Sequence, residues 1–313
     1  DDDTGFGTSS AVIAGNKVKE AKQFIAFSDS RQAAAFYASY LDQTYRNILY
    51  KRLIMEALKD KQYDKNGKTI NQFVEDLIFQ FEKHDVAVKN KDVTRKEAWK
   101  AILQEIVDNN GNTSLYSMGL IGLSIDPEGI AGNPKYNLSP SDVATMCSVF
   151  ALGMMADAAV MYEEPLNKSE KEFFTHNGVE YSYTLSDSNA RSYKRSFIPT
   201  KANMKNKRLD YLTRVLSKSG FEVEHSVAIK LLEAIWNRIF CAVGTELVKA
   251  KDGKYKIDAA KIIISRNRQW YICPKCKKVT IHNINNVCPS YKCDGELAPI
   301  DIKDVFEDNH YYQ

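Results

Sequence analysis

Four of the six cysteines crowd into one short stretch, as Cys273-Pro274-Lys275-Cys276 and Cys288-Pro289-Ser290-Tyr291-Lys292-Cys293, a C-x2-C-x11-C-x4-C spacing. Each short loop can turn two thiolates toward one tetrahedral ion, and the residues between the pairs suit a small hairpin. Four thiolates close the coordination sphere, so the expected ion is a structural Zn²⁺ and not a catalytic one. Lys275, Lys277, Lys278 and Lys292 stand beside the cysteines and favour the thiolate forms. Two disulfides or four buried thiols are the competing readings. His282, inside the hairpin, is a spare donor by type, but is read as a surface residue. Cys147 and Cys241 sit on apolar helical faces and are read as core.

A second group could hold an anion. In Ile25-Ala26-Phe27-Ser28-Asp29-Ser30-Arg31-Gln32, a short apolar run meets two serines, an arginine and the start of a long helical pattern. Free N–H groups at a helix start, with Ser28, Ser30, Arg31 and Gln32 around them, could bind a phosphate. The plain alternative is a helix cap with a solvated arginine.

A third group interleaves cations with aromatic rings, from Arg191, Tyr193, Arg195 and Phe197 to Lys201, Lys205, Lys207, Arg208, Tyr211 and Arg214. Cations neutralise phosphates and rings offer stacking surface, as single-strand binding requires. Alternation in Lys249–Lys256 is expected to put Lys249, Lys251, Lys254 and Lys256 on one face, away from Leu247 and Tyr255. A solvated surface would look the same. His84, His176 and His225 have no partner at metal or catalytic spacing, and Glu163-Glu164 are adjacent carboxylates, so a hydrolase finds no support.

The elements that must position these groups follow from periodicity. Gln23–Phe27 reads as a buried strand, followed by a long helix with Leu41, Tyr45, Ile48, Leu49 and Leu53 on one face. Phe73, Leu77, Ile78 and Phe81 stripe a second helix. Ala98, Ile102, Ile106 and Val107 stripe a third, entered through Thr94. Ser139-Pro140-Ser141-Asp142 is a helix start, with a cap serine, proline at the first position and an acid in the first turn. Val179–Leu185 suggests a short hairpin. Residues 207–265 order two helices before Asp252-Gly253, which joins two alternating runs and marks a hairpin. That order suggests a winged-helix-like unit.

The chain has 313 residues, 44% hydrophobic and 27% charged, which excludes a disordered or collagen-like protein and suggests more than one domain. Net charge is +3, unevenly spread. Residues 1–190 carry 20 Lys+Arg against 27 Asp+Glu, and residues 191–313 carry 23 against 13. A basic final third points to an anionic partner. The apolar run Val143–Tyr162 includes Asp157 and is rich in Ala and Met, so it reads as a buried helix and not a membrane span. Clustered cysteines and the lack of a signal-peptide pattern suggest the cytoplasm.

Several motifs recur in a familiar order. They are Phe27-Ser28-Asp29-Ser30-Arg31-Gln32 with Ala34-Ala35-Phe36, Lys207-Arg208-Leu209-Asp210-Tyr211-Leu212, Leu231-Leu232-Glu233-Ala234-Ile235-Trp236, Trp270-Tyr271-Ile272-Cys273-Pro274-Lys275-Cys276 and Asn309-His310-Tyr311. Together, over roughly residues 22–312, they resemble the second RecA-like domain, from motif IV onward, and its insertion in large bacterial superfamily 2 DEAD/DEAH-type helicases, several of them anti-phage defence proteins. The resemblance implies a mainly α (α+β) architecture, with a helical bundle, a partial RecA-like strand–helix unit, a winged-helix-like module and a small zinc ribbon. It implies the start of a motor domain at 1–60, a helical insertion at 61–200, the winged-helix-like module at 201–265, the ribbon at 266–300 and a return segment at 301–313. It also implies phosphate contacts from the motif IV residues Ser28, Ser30, Arg31 and Gln32; with Arg195, Lys207, Arg208, Lys251 and Lys254 from the basic stretches, these are the expected contacts to nucleic acid, DNA before RNA. The remaining helicase domains of the same polypeptide would be the other partner, with no membrane involved.

The departures limit the activity. The chain has no G-x-x-x-x-G-K-[ST] loop and no Asp-Glu box in a strand context. The resemblance therefore implies a binding fragment of an ATP-dependent helicase, with structural Zn of its own and ATP and Mg only in the parent protein. A zinc-ribbon module for protein partners is the competing reading.

Overall fold

The computed structural model describes residues 31–86, 90–189, 192–201, 204–266 and 268–301; the side chains of 31–42, Lys65 and His176 are outside the description. The expected strand at Gln23–Phe27, with Ser28 and Ser30, lies outside the described residues. The chain divides into two compact units, 1–46 and 47–313. Of the first, the described part is the opening of helix α1 (Arg31–Ala57), whose first two residues are Arg31 and Gln32.

The second unit is mixed α/β. After α1 come a one-turn helix α2 (Gln62–Lys65), strand β1 (Lys68–Thr69) and helices α3 (Ile70–Lys83) and α4 (Lys91–Val107). Next are β2 (Gly122–Ile125), α5 (Pro140–Ala156), β3 (Val160–Met161), a one-turn α6 (Lys168–Lys171), β4 (Ser182–Thr184) and β5 (Lys194–Ser196). Helices α7 (Lys207–Lys218) and α8 (His225–Ile235) precede β6 (Val248–Lys251), β7 (Lys254–Asp258), β8 (Ile262–Ser265), β9 (Trp270–Ile272), β10 (Val279–Thr280) and β11 (Ala298–Ile300). Among the described residues, three small sheets join the helices, so "mainly α" is too narrow.

Local chemistry explains the helix starts. Thr69 and Gln72 form a capping box on α3, and Ser139 and Asp142 form one on α5, with Pro140 at the first position. Helix α4 starts earlier than the apolar stripe suggested. Asn90 caps it through the Val93 N–H, and Thr94, fully inside the helix, donates its hydroxyl to the Asn90 carbonyl. The α5 helix is buried on most sides: Val143, Cys147, Phe150, Ala151 and Met154 are in the core. A helix apolar all round needs protein on all its faces. Its Ser148 hydroxyl donates to the Ala144 carbonyl and accepts the Ile125 N–H, so no polar group is stranded there. Among the described residues, no helix is long and apolar enough to cross a membrane.

One hydrophobic cluster runs from Tyr50 to Val287. Its densest part is aromatic: Phe197 meets Trp236 at 4.7 Å and Phe240 at 5.0 Å between ring centres, and Phe150 meets Phe197 edge-on at 5.9 Å. A π-helical turn, Trp236–Phe240, continues α8 and stacks its first and last rings.

Sheet pairing sets the rest. β8 lies between β1 and β2, antiparallel to both. β7 pairs with β6 along one edge; β3 and β4 share the other. The expected hairpin at Val179–Leu185 is instead the single strand β4, because the chain loops out through Asp187 and Asn189 and returns parallel to it as β5. The Asp252-Gly253 hairpin forms as expected, with both residues at positive φ, 53° and 68°, as a two-residue turn of this kind demands. Beyond the tip, β7 also pairs with β4 at Tyr255 and with β3 at Ile257 and Asp258, so the hairpin is part of a five-stranded sheet.

Candidate metal centre

Strand β9 delivers the chain to Cys273. The Cys273 N–H donates to the Lys278 carbonyl at 2.9 Å and the Lys277 N–H to the Cys273 carbonyl at 2.8 Å, which folds the first cysteine pair into a tight turn. Lys277 takes a left-handed conformation to close it, φ 60°. β10 and β11 then pair antiparallel with the two edges of β9. The second cysteine pair lies on the connection between them, and the Cys293 N–H reaches the Ser290 carbonyl at 3.2 Å.

The four Sγ atoms lie within 4.8 Å of one another, with Cys273–Cys293 at 3.7 Å and Cys276–Cys288 at 3.5 Å. A tetrahedron with metal–sulfur bonds of about 2.3 Å has sulfur–sulfur edges of about 3.8 Å. The four cysteines therefore sit where one ion could bind them all. None is in a disulfide. Three are buried; Cys276 is exposed.

The backbone is arranged for thiolate. The N–H groups of Lys278, Ser290 and Gly295, each two residues past a cysteine, hydrogen-bond Cys276, Cys288 and Cys293 and favour their ionised forms. Burial pushes Cys288 up to about 12 and raises Cys293 as well. At Cys276 burial also opposes ionisation, but the Ser290 hydroxyl, 3.3 Å away, and the neighbouring donors outweigh it and bring the thiol down to about 6. Gly295 has a separate role. A Cβ there would come within 2.5 Å of Cys273 Sγ, so only glycine lets the backbone pass the sulfur cluster.

A clamp from α7 holds the second cysteine loop. Arg214 Nη1 donates to the carbonyls of Cys288 at 2.6 Å and Cys293 at 2.8 Å, and Nη2 to that of Ser290 at 2.9 Å. Asp210, one turn earlier, accepts from Arg214 Nη2 at 2.8 Å and from the Lys292 N–H at 3.0 Å. The sequence counted Arg214 among phosphate contacts and missed this role. The signal available was the i, i+4 acid–base pair on one helix face.

His282 is not on the surface. It is 3% exposed, its Nε2 lies 2.9 Å from the Leu123 carbonyl, and its N–H donates to Thr280 Oγ1, which also meets the Tyr116 hydroxyl at 3.1 Å. Burial first, then Lys278 and Arg268, lower its pKa to about 4, so the ring is neutral and joins β10 to β2. It is not among the grouped metal donors. Cys147 is buried as expected, and its burial raises the thiol pKa. Cys241 is half-buried against the core, and burial pushes its thiol up to about 11.

The expected nucleic-acid residues are scattered in role. Arg31 and Gln32 open α1. Arg208 turns inward: Nε donates to the Phe197 carbonyl at 2.9 Å, Nη2 donates to the Ser196 carbonyl at 2.8 Å, and the guanidinium lies over Phe197 and Tyr183. Arg195 is half-exposed, paired with Asp157 at 3.1 Å and stacked on Tyr181. On the hairpin, Lys249 faces Lys256 and Lys251 faces Lys254, so the four lysines do share a face. The opposite face is Val248, Ala250, Tyr255 and Ile257; Leu247 lies before the strand and is buried. Asp258 pairs with Lys249 at 2.8 Å and Glu180 with Lys256 at 2.7 Å. Lys207, Lys251 and Lys254 are exposed. No protein-family profile, curated protein or solved structure matches the chain.

Proposed function

We propose that this chain is a zinc-stabilised nucleic-acid-binding part of a superfamily 2 helicase-like protein. Four thiols within 4.8 Å of one another carry the metal half of the reading. Zn²⁺ suits a closed set of four thiolates, and such an ion is structural. β9, β10 and β11 with the two cysteine turns then act as a zinc ribbon, and α7, α8 and the β6–β7 hairpin as the winged-helix-like part.

The phosphate contacts in this reading are the exposed lysines and not Arg208. Lys207 stands at the first position of α7, where a cation opposes the helix dipole and adds nothing to stability. Lys251 and Lys254 face each other at the hairpin tip, and among the described residues no acidic group lies within ion-pair distance of either. Phosphates would relieve both. A second reading, a protein-binding module, is favoured by the number of cations already bound to acids: Arg195, Lys249, Lys256, Arg214 and Arg266.

Two measurements test it. Elemental analysis of protein purified without chelator should find about one zinc per chain, lost in Cys288→Ser. Binding to single-stranded DNA should weaken steeply with salt, and Lys251→Ala with Lys254→Ala should lower the log–log slope by about two. Arg208→Ala should lower thermal stability and leave the slope unchanged. Absence of binding at low salt would favour the protein-partner reading.

A further inference from the structure

Between the end of α1 and the strands leading to the cysteine turns lies an open cavity of about 600 Å³. That is a common size for a small-ligand site. Part of its lining is apolar: Met55, Leu120, Trp270, Pro299 and Ile300. The polar part includes Arg266, Arg268, Gln269 and Asp301.

The two arginines differ. Arg266 is committed, with Nε 2.5 Å from Asp64 Oδ1 and Nη2 3.5 Å from Oδ2. Arg268 Nε donates to the Ser265 hydroxyl at 3.0 Å, and its Nη2 reaches the Asn66 carbonyl at 3.4 Å. Among the described residues no carboxylate pairs with it. A guanidinium has five N–H donors, so most of its capacity is left over. Its stem is held in place. Ser265 is fully buried, and a Cβ at Gly122 would come within 2.8 Å of the Ser265 Oγ and 3.3 Å of Arg268 Cγ. Burial lowers the pKa of Arg268 from the usual arginine value. A guanidinium does not release its proton in a protein, so the charge stays and asks for an anion. Asp301 is on the same lining but already has an interaction of its own.

We propose that this cavity binds a nucleoside phosphate, with the phosphate on Arg268 and the flat base against Met55, Leu120 and Ile300. An anion alone would need no apolar wall, and an apolar ligand would leave Arg268 uncompensated. A free nucleotide and a nucleotide within a strand share this chemistry. The site is independent of the exposed lysines, so it can stand if that reading fails.

The experiment is calorimetric titration of the full chain with AMP, adenosine and a short oligothymidylate at low salt. AMP should bind saturably, and adenosine at least about 10-fold more weakly. Arg268→Gln should bring AMP affinity down about 10-fold, to the adenosine level, while Arg268→Lys keeps part of it. Leu120→Trp, which fills the cavity without touching the charge, should abolish binding of both; circular dichroism would show that each variant is folded. Oligothymidylate that competes with AMP, and loses affinity in Arg268→Gln, would identify a nucleotide within a strand as the ligand. AMP binding without such competition would identify a free nucleotide. Three results would overturn the proposal: no saturable AMP binding, adenosine equal to AMP, or AMP binding unchanged in both Arg268→Gln and Leu120→Trp. Lysine variants that weaken the oligonucleotide and spare AMP would separate this site from the phosphate track.

Discussion

At the scale of residues, Arg214 holds the loop that carries half of the candidate metal site. Its guanidinium gathers three carbonyls of the second cysteine loop, and Asp210 fixes its orientation. Groups that orient ligands in this way commonly tune metal affinity by about 10- to 100-fold. Arg214→Ala should therefore weaken zinc binding by that order, measured by competition with a chelating dye. Arg214→Lys should fail to restore it, because an ammonium cannot span the carbonyls as a planar fork does. The cysteine spacing alone revealed the four donors. The clamp was hidden because a carbonyl acceptor leaves no mark in a sequence, and a half-buried arginine looks like any surface cation. Arg208 and His282 misled for the same reason: their partners are the main-chain carbonyls of Phe197, Ser196 and Leu123.

At the scale of elements, Glu180 joins pieces that local sequence keeps apart. It accepts from Lys171 on α6, Lys256 on β7 and the Tyr162 hydroxyl. Burial works against its charge, but Lys256, Tyr162 and Lys171 outweigh it and hold the carboxyl below the ordinary glutamate range. A depressed folded-state pKa gives stability that is full above the unfolded glutamate pKa and lost as pH falls through and below it. Glu180→Gln should cost roughly 1–3 kcal/mol near neutral pH and flatten the fall of the melting temperature in acid. Helices α3, α5 and α7 and the β6–β7 hairpin were legible because caps, stripes and the Asp-Gly turn are local signals. β1 and β3 were not. Each is two residues long, and its partner lies far along the chain, where periodicity carries no information.

At the scale of the whole molecule, the sequence contains no G-x-x-x-x-G-K-[ST] motif, and one expectation follows from that. Purified protein should show no Mg²⁺-dependent ATP turnover above background in a coupled assay, since phosphoryl transfer needs that loop and an acidic Mg²⁺ ligand together. A turnover that survives repurification would refute this. One hydrophobic cluster draws residues from 50 to 287, and Cys273, Cys288, Cys293 and Leu297 form a second, smaller one. The placement of β8 adds a matter of time. Its residues Ile262–Ser265 are the central strand for β1 and β2, which are made much earlier. During synthesis those two strands emerge from the ribosome with unpaired edges and wait for most of the unit to follow. Such long-range closure is slow and leaves a growing chain open to wrong pairing. Truncation anywhere before Ile262 would therefore leave β1 and β2 permanently without their shared partner, and pausing of translation just ahead of it would lengthen the interval in which a nascent chain is most in need of a chaperone.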